Sequence, residues 1–86
     1  MKAKQLILTI KNRDGAIFSG EITSLTSYND KGKFDILPEH ANFISLIKKE
    51  VIMRSGDKEI GKVAVDNGVL QVFEGKVNIY LGIGKT

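Results

Sequence analysis

Gly32-Lys33-Phe34-Asp35-Ile36-Leu37-Pro38-Glu39-His40-Ala41-Asn42 holds the chain's only proline and its only histidine, and the fold turns on how it is read. Residues 34–37 form an apolar-rich run of strand length, too short for a helix. Pro38 ends the run, because proline has no N–H to give to a ladder. Before it, Asn29-Asp30-Lys31-Gly32 gathers residues that favour tight turns. The same unit, a short apolar run bounded by turn residues, recurs in both directions. Runs at 5–10, 16–18, 21–28, 43–47, 51–54, 59–65, 69–73 and 76–81 alternate with turn clusters at 12–15, 55–57, 66–68 and 74–75. Turns spaced by about 8–14 residues are the rhythm of a sandwich or barrel. Asn67-Gly68 and Glu74-Gly75 read as the clearest hairpin turns. The best helical window is 39–49, where Ala41, Ile44 and Lys48 share a face. Phe43-Ile44 and Leu46-Ile47 fit a buried strand as well, and the strand is preferred. The pattern predicts one all-β domain over 1–86, a flattened sandwich or barrel of nine or ten short strands.

Composition narrows the function. At 86 residues the chain hides only about 60–65% of its unfolded surface on folding, which leaves a thin core and little room for a deep active site. The absence of cysteine excludes disulfides, thiolate metal sites and cysteine nucleophiles, and a single histidine excludes a multi-histidine centre. Thirteen basic residues against ten acidic give a net charge of +3. They are interleaved, and even Lys48-Lys49 is followed by Glu50, so they read as a solvated surface and not a nucleic-acid stripe. Phe18, Tyr28, Phe34, Phe43, Phe73 and Tyr80 sit singly, without interleaved arginine, and are assigned mostly to the core. No run reaches the roughly 18 apolar residues of a membrane span. Leu6-Ile7-Leu8 is too short for the core of a leader, so an intracellular protein is expected.

Three candidate sites have a simpler reading each. His40 beside Glu39 has the elements of an acid–base pair but no nucleophile at a recognisable spacing, so it is read as a turn or interface residue. Asp30, Asp35 and Glu39 lack the regular spacing of a calcium loop and read as a solvated loop. Gly82-Ile83-Gly84-Lys85-Thr86 ends like a phosphate loop, but Ile79 stands where its first glycine belongs, and a C-terminal strand end is expected instead.

One constellation is more specific. Phe18-Ser19-Gly20-Glu21, followed after about a dozen residues by the segment from Gly32 to Asn42, resembles the N-terminal domain of the epsilon subunit of rotary F-type ATP synthases, called delta in mitochondria. Val65-Asp66-Asn67-Gly68-Val69-Leu70-Gln71-Val72 stands in place of that family's Ser-Gly-Gly turn and following strand, and Lys76-Val77-Asn78-Ile79-Tyr80 in place of its last sandwich strand. The likeness runs along nearly the whole chain. Asp35 replaces the family's glycine, Asn42 its usual proline, Asp66 and Asn67 its Ser-Gly, and Lys33 a position where a carboxylate is common. The change at Asp35 leads us to expect a left-handed backbone there.

The resemblance implies a ten-stranded β-sandwich that performs no chemistry and needs no cofactor or metal. It implies a place in the central stalk of a bacterial ATP synthase, at the cytoplasmic face of the membrane, between the gamma subunit and the rotor ring. The family's two-helix C-terminal domain is expected to be absent, and with it any inhibitory or ATP-sensing role. The expected ring or gamma contact is the 29–35 loop with Lys33, Phe34, Asp35, Glu39, His40, Asn42 and Phe43, with Tyr28 as a further apolar anchor. Two other classes remain in play: a free-standing β-sandwich protein-binding module, and a small basic barrel for single-stranded nucleic acid.

Overall fold

A computed structural model of the chain describes residues 5–82. Among these residues there are seven strands: β1 (Leu6–Asn12), β2 (Gly15–Ile22), β3 (Ser24–Asn29), β4 (Gly32–Ile36), β5 (Phe43–Ser55), β6 (Lys58–Phe73) and β7 (Lys76–Leu81). They form one sheet in the order β2-β1-β7-β6-β5-β3-β4. Every pairing is antiparallel except that of β1 with β7.

The strand count is lower than the sequence runs suggest because β5 and β6 are long and bend midway. Where they bend, the ladder slips. Asp66 and Asn67 of β6 oppose Lys48 alone, and on the other side Ser27 of β3 opposes Lys49, Glu50 and Val51. Extra residues of this kind kink a strand. Lys49 takes a positive φ of 77°, and the buried Ser27 hydroxyl donates to the Glu50 carbonyl at 2.8 Å, which fixes the corner. The bends divide the sheet into two layers. The first half of β5 and the second half of β6 run with β7, β1 and β2. The remaining halves run with β3 and β4.

The two layers bury one cluster between them. Leu6, Leu8, Ile10, Leu70, Val72, Val77 and Ile79 come from the first, and Leu25, Ile36, Val51, Met53 and Val65 from the second. Alternating side chains thus give each layer an apolar inner face, as a sandwich requires.

Two hairpins share one turn chemistry. In Asn12-Arg13-Asp14-Gly15 the Asp14 N–H donates to Asn12 Oδ1 at 2.8 Å, and in Asn29-Asp30-Lys31-Gly32 the Lys31 N–H donates to Asn29 Oδ1 at 2.8 Å. Each closes on a glycine with positive φ, 126° and 118°. Glu74 and Gly75 both take positive φ, the type I′ pattern that suits a two-residue hairpin.

Four expectations change. Asn67-Gly68 is not a hairpin turn, since β6 bends here but continues through it as one strand. Gly68 is needed for space: a Cβ there would stand 2.8 Å from the Tyr80 carbonyl oxygen. The run 21–28 is two strands separated at Thr23. Asp35 lies in the extended β4 and is not among the residues with positive φ, because its side chain is accommodated by a hydrogen bond and not by a left-handed turn. The preferred strand at 43–47 is present as the start of β5, but it is buried on one face only. The expectation for Gly82 to Thr86 lies largely outside the described residues.

Candidate interaction surface

β4 delivers Phe34 and Ile36 to the core side and Lys33 and Asp35 to the outer side, as strand alternation dictates. After Pro38 the chain turns, and the His40 N–H donates to the Leu37 carbonyl at 2.9 Å. The His40 ring lies edge-on to Phe43 with centroids 5.3 Å apart, and Phe43 lies edge-on to Phe34 at 5.7 Å. Both phenylalanines pack against the core. His40 Nδ1 is 2.9 Å from the Ala41 carbonyl, which only accepts, so this nitrogen carries the proton. The result is a half-exposed aromatic stack anchored from below. Beside it, Asn42 Oδ1 accepts the Glu74 N–H at 2.9 Å and ties the segment to the β6–β7 turn.

Lys33 and Asp35 belong to a different surface. Asp35 Oδ1 accepts from the Thr26 hydroxyl at 2.5 Å, and Thr26 accepts from Arg54 at 2.7 Å. Lys33 is exposed opposite Tyr28, whose ring carries the Lys49 ammonium at 4.6 Å from its centroid. The turn between β3 and β4 is held to β5 by Lys48–Asp30, an exposed pair at 3.1 Å, and by Asn29 donating to Ser45 at 3.2 Å. Of the seven residues expected to form one contact, Phe34, His40 and Phe43 come together with Asn42 close by. Lys33 and Asp35 face outward from β4, and Glu39 is exposed on the turn. Asp30 and Asp35 are engaged with separate partners, and among the described residues no three His, Asp or Glu side chains converge on a metal-sized site.

A second surface escapes the sequence reading. Leu46, Val69 and Tyr80 are neighbours across β5, β6 and β7, and Phe73, Lys76 and Ile7 across β6, β7 and β1, all on the outer face. Ile44 adjoins them. Leu46 is 72% exposed, Ile44 67% and Phe73 51%. Phe73 and Tyr80 are therefore not core residues, unlike Phe18, Phe34 and Phe43. The signal was present in Phe43-Ile44-Ser45-Leu46-Ile47: apolar residues at nearly every position make both faces of a strand apolar, and burial is only one way to use that. A shallow groove of about 330 Å³ between Asn42, Ile44 and Phe73 joins this face to the aromatic stack.

Comparison with known proteins gives a consistent result. An ATP synthase epsilon chain of Sulfurimonas denitrificans is 36% identical over 74 residues, covering 85% of this chain and 57% of that protein. That of Campylobacter curvus is 36% identical over 76 residues, covering 87% and 59%. The chain thus spans a little over half the length of these relatives. In fold it is similar to a chain in the Euglena gracilis mitochondrial ATP synthase, with a TM-score of 0.82 at 21% identity, covering 94% of this chain and 52% of that one. It is also similar to a chain of the Tetrahymena thermophila mitochondrial ATP synthase central stalk and c-ring, at 0.74 and 10%, covering 94% and 66%. Residues 5–81 match the family described as ATP synthase, Delta/Epsilon chain, beta-sandwich domain, and the chain belongs to that family.

Proposed function

We propose that the chain is a non-catalytic central-stalk subunit of a bacterial rotary ATP synthase. In this reading it joins a gamma-type shaft to the membrane rotor ring during ATP synthesis driven by protons or sodium, at the cytoplasmic face of the membrane. The observation that carries the reading is the exposed apolar face of Ile7, Ile44, Leu46, Phe73 and Tyr80 on a chain whose core is already complete. Large exposed apolar surfaces of this kind serve association. The names of the bacterial relatives support the assignment to the motor.

A subunit that transmits torque needs a stiff body and two grips. Close-packed sandwich interiors compress little. The apolar face suits the shaft, where burial of aliphatic and aromatic anchors dominates binding energy. The ring side is then served by two patches, the 29–35 loop with Lys33 and the turn with His40 and Asn42, polar groups suited to the polar loops of a ring, with Phe43 as the apolar anchor under His40. The test is co-purification of the chain with separately expressed gamma and ring subunits. Leu46→Glu is expected to abolish gamma capture and spare ring capture, and Lys33→Glu to weaken ring capture most at low salt. Gamma capture unchanged by Leu46→Glu, or ring capture unchanged by Lys33→Glu at low salt, overturns the corresponding contact.

A further inference from the structure

The first half of β6 is paired on one side only. β5 accompanies β6 from Lys58 to Val72, but β7 accompanies it only from Gly68 to Phe73, and a last rung joins the Gly82 N–H to the Asn67 carbonyl at 3.2 Å. Among the described residues, 58–66 therefore present a free backbone edge. Its outer end is distorted, because Ile60 is an extra residue between the Met53–Gly61 and Arg54–Glu59 pairs. Such a bulge discourages edge pairing. Between this bulge and the one at Asp66 and Asn67, residues 62–65 pair with β5 in regular register and leave a straight outer edge.

Beside that stretch lies a groove of about 560 Å³, a size typical of binding sites. Its walls include Val63 on β6, the turn residues Arg13 and Asp14, and Ile17, the extra residue where β2 bulges against β1. Its lining carries two carboxylates, Asp14 and Asp66, against one guanidinium, Arg13, and the exposed Lys62 stands at the other end of the stretch, so the groove is acidic toward Asp66 on a chain of net charge +3. Asn67 also lines it, and the Asn67 side-chain oxygen is buried without a hydrogen-bond partner, a costly state that calls for a donor. A free strand edge and carboxylates at the Asp66 end favour the same kind of occupant.

We propose that an extended basic segment of a partner protein adds as a strand to the free edge of β6 at residues 62–66. Its cationic side chains face Asp14 and Asp66, its apolar ones face Ile17 and Val63, and its backbone supplies the ladder. Strand addition of this kind draws affinity from main-chain hydrogen bonds and specificity from flanking pockets. The groove is apart from the two surfaces assigned to the shaft and the ring, so its failure leaves that assignment untouched.

The whole chain, labelled with ¹⁵N, is titrated with two capped nonapeptides in which Thr and Val alternate with Lys in one and with Glu in the other. The Lys peptide is expected to shift the amides of 62–67 and Ile17 and to slow their hydrogen exchange, whereas the Glu peptide leaves them unmoved. Asp14→Lys combined with Asp66→Lys is expected to weaken the Lys peptide by about tenfold or more, since like charges now meet across the contact. Asp57→Lys, outside the groove, is expected to change nothing. Amides of 62–66 that do not respond to the Lys peptide, or a double variant that binds as the parent does, overturn the proposal. So do outward-pointing amides of 62–66, those not bonded to β5, that are already protected before any peptide is added, since the edge would then be filled from within.

Discussion

A methyl group added at Gly68 would meet the Tyr80 carbonyl oxygen at 2.8 Å and Leu81 Cδ2 at 3.0 Å. The carbonyl belongs to the β7 backbone and has little freedom to retreat. Gly68→Ala is therefore expected to cost about 1–3 kcal/mol, read as a lower midpoint in urea unfolding. Gly61→Ala is the comparison, because its Cβ would meet only Met53 Cε, at 2.8 Å, the mobile end of a flexible side chain. It is expected to stay within about 1 kcal/mol of the parent. Equal losses at the two sites would remove the close-approach account. The same residue shows what composition conceals. Asn67-Gly68 has the makeup of a hairpin turn, yet Gly68 is not among the positive-φ glycines. One letter serves a glycine chosen for its backbone angle and a glycine chosen for its lack of bulk. Asn12, Asn29 and Glu74-Gly75 were legible because their turns are local, whereas Gly68 answers to a strand that arrives a dozen residues later.

Among the elements, β5 shows how far local signals reach. Its two apolar runs stand out in the sequence, but nothing in Ile47-Lys48-Lys49-Glu50 marks a corner. The bend is imposed by β3 and β6, which differ in how many residues they set against it. Lys49 meets the demand with a left-handed backbone, costing about 1–2 kcal/mol for a residue with a Cβ. Its ammonium over the Tyr28 ring returns about 0.5–1 kcal/mol. Lys49→Ala loses the ring contact and keeps the strain, whereas Lys49→Gly loses the contact and relieves it. The alanine variant is expected to be less stable than the glycine variant by about 1 kcal/mol in chemical unfolding. The opposite order would show that the corner is not strained. At this scale the candidate contact was half legible. Phe34, His40 and Phe43 do assemble, because the turn after Pro38 is short enough to hold them together. Asp35 was placed among them by sequence proximity, but a strand sends alternate residues to opposite faces, and its carboxylate serves Thr26.

Over the whole molecule, stability and association reside in opposite faces of the same strands. Leu8 is fully buried in the single core cluster, and Leu8→Ala is expected to cost about 2–5 kcal/mol. A domain of this size has about 4–13 kcal/mol in total, so that loss is a large share of it. Leu46 is exposed on the outer face, and Leu46→Ala is expected to shift stability by no more than about 0.5 kcal/mol. Urea midpoints for the two variants check both numbers, and a large loss at Leu46 would mean that its face is already covered within the chain. The family was readable from residues 32–42 because turn, proline and histidine occur there in a fixed order. The outer apolar face was not, because a strand that is apolar on both sides looks the same whether its second face meets its own core or another protein.

The one parallel pairing, β1 with β7, has a consequence for how the chain comes to be made. Leu8 emerges early from a ribosome, and its partner Val77 near the end of the described chain. Until Leu81 has cleared the exit tunnel, the apolar side chains of Leu6, Leu8 and Ile10 have no permanent neighbour on that side. Contacts so distant along the chain are slow to close. The domain is therefore born open, and it stays open until translation delivers the strand that locks it.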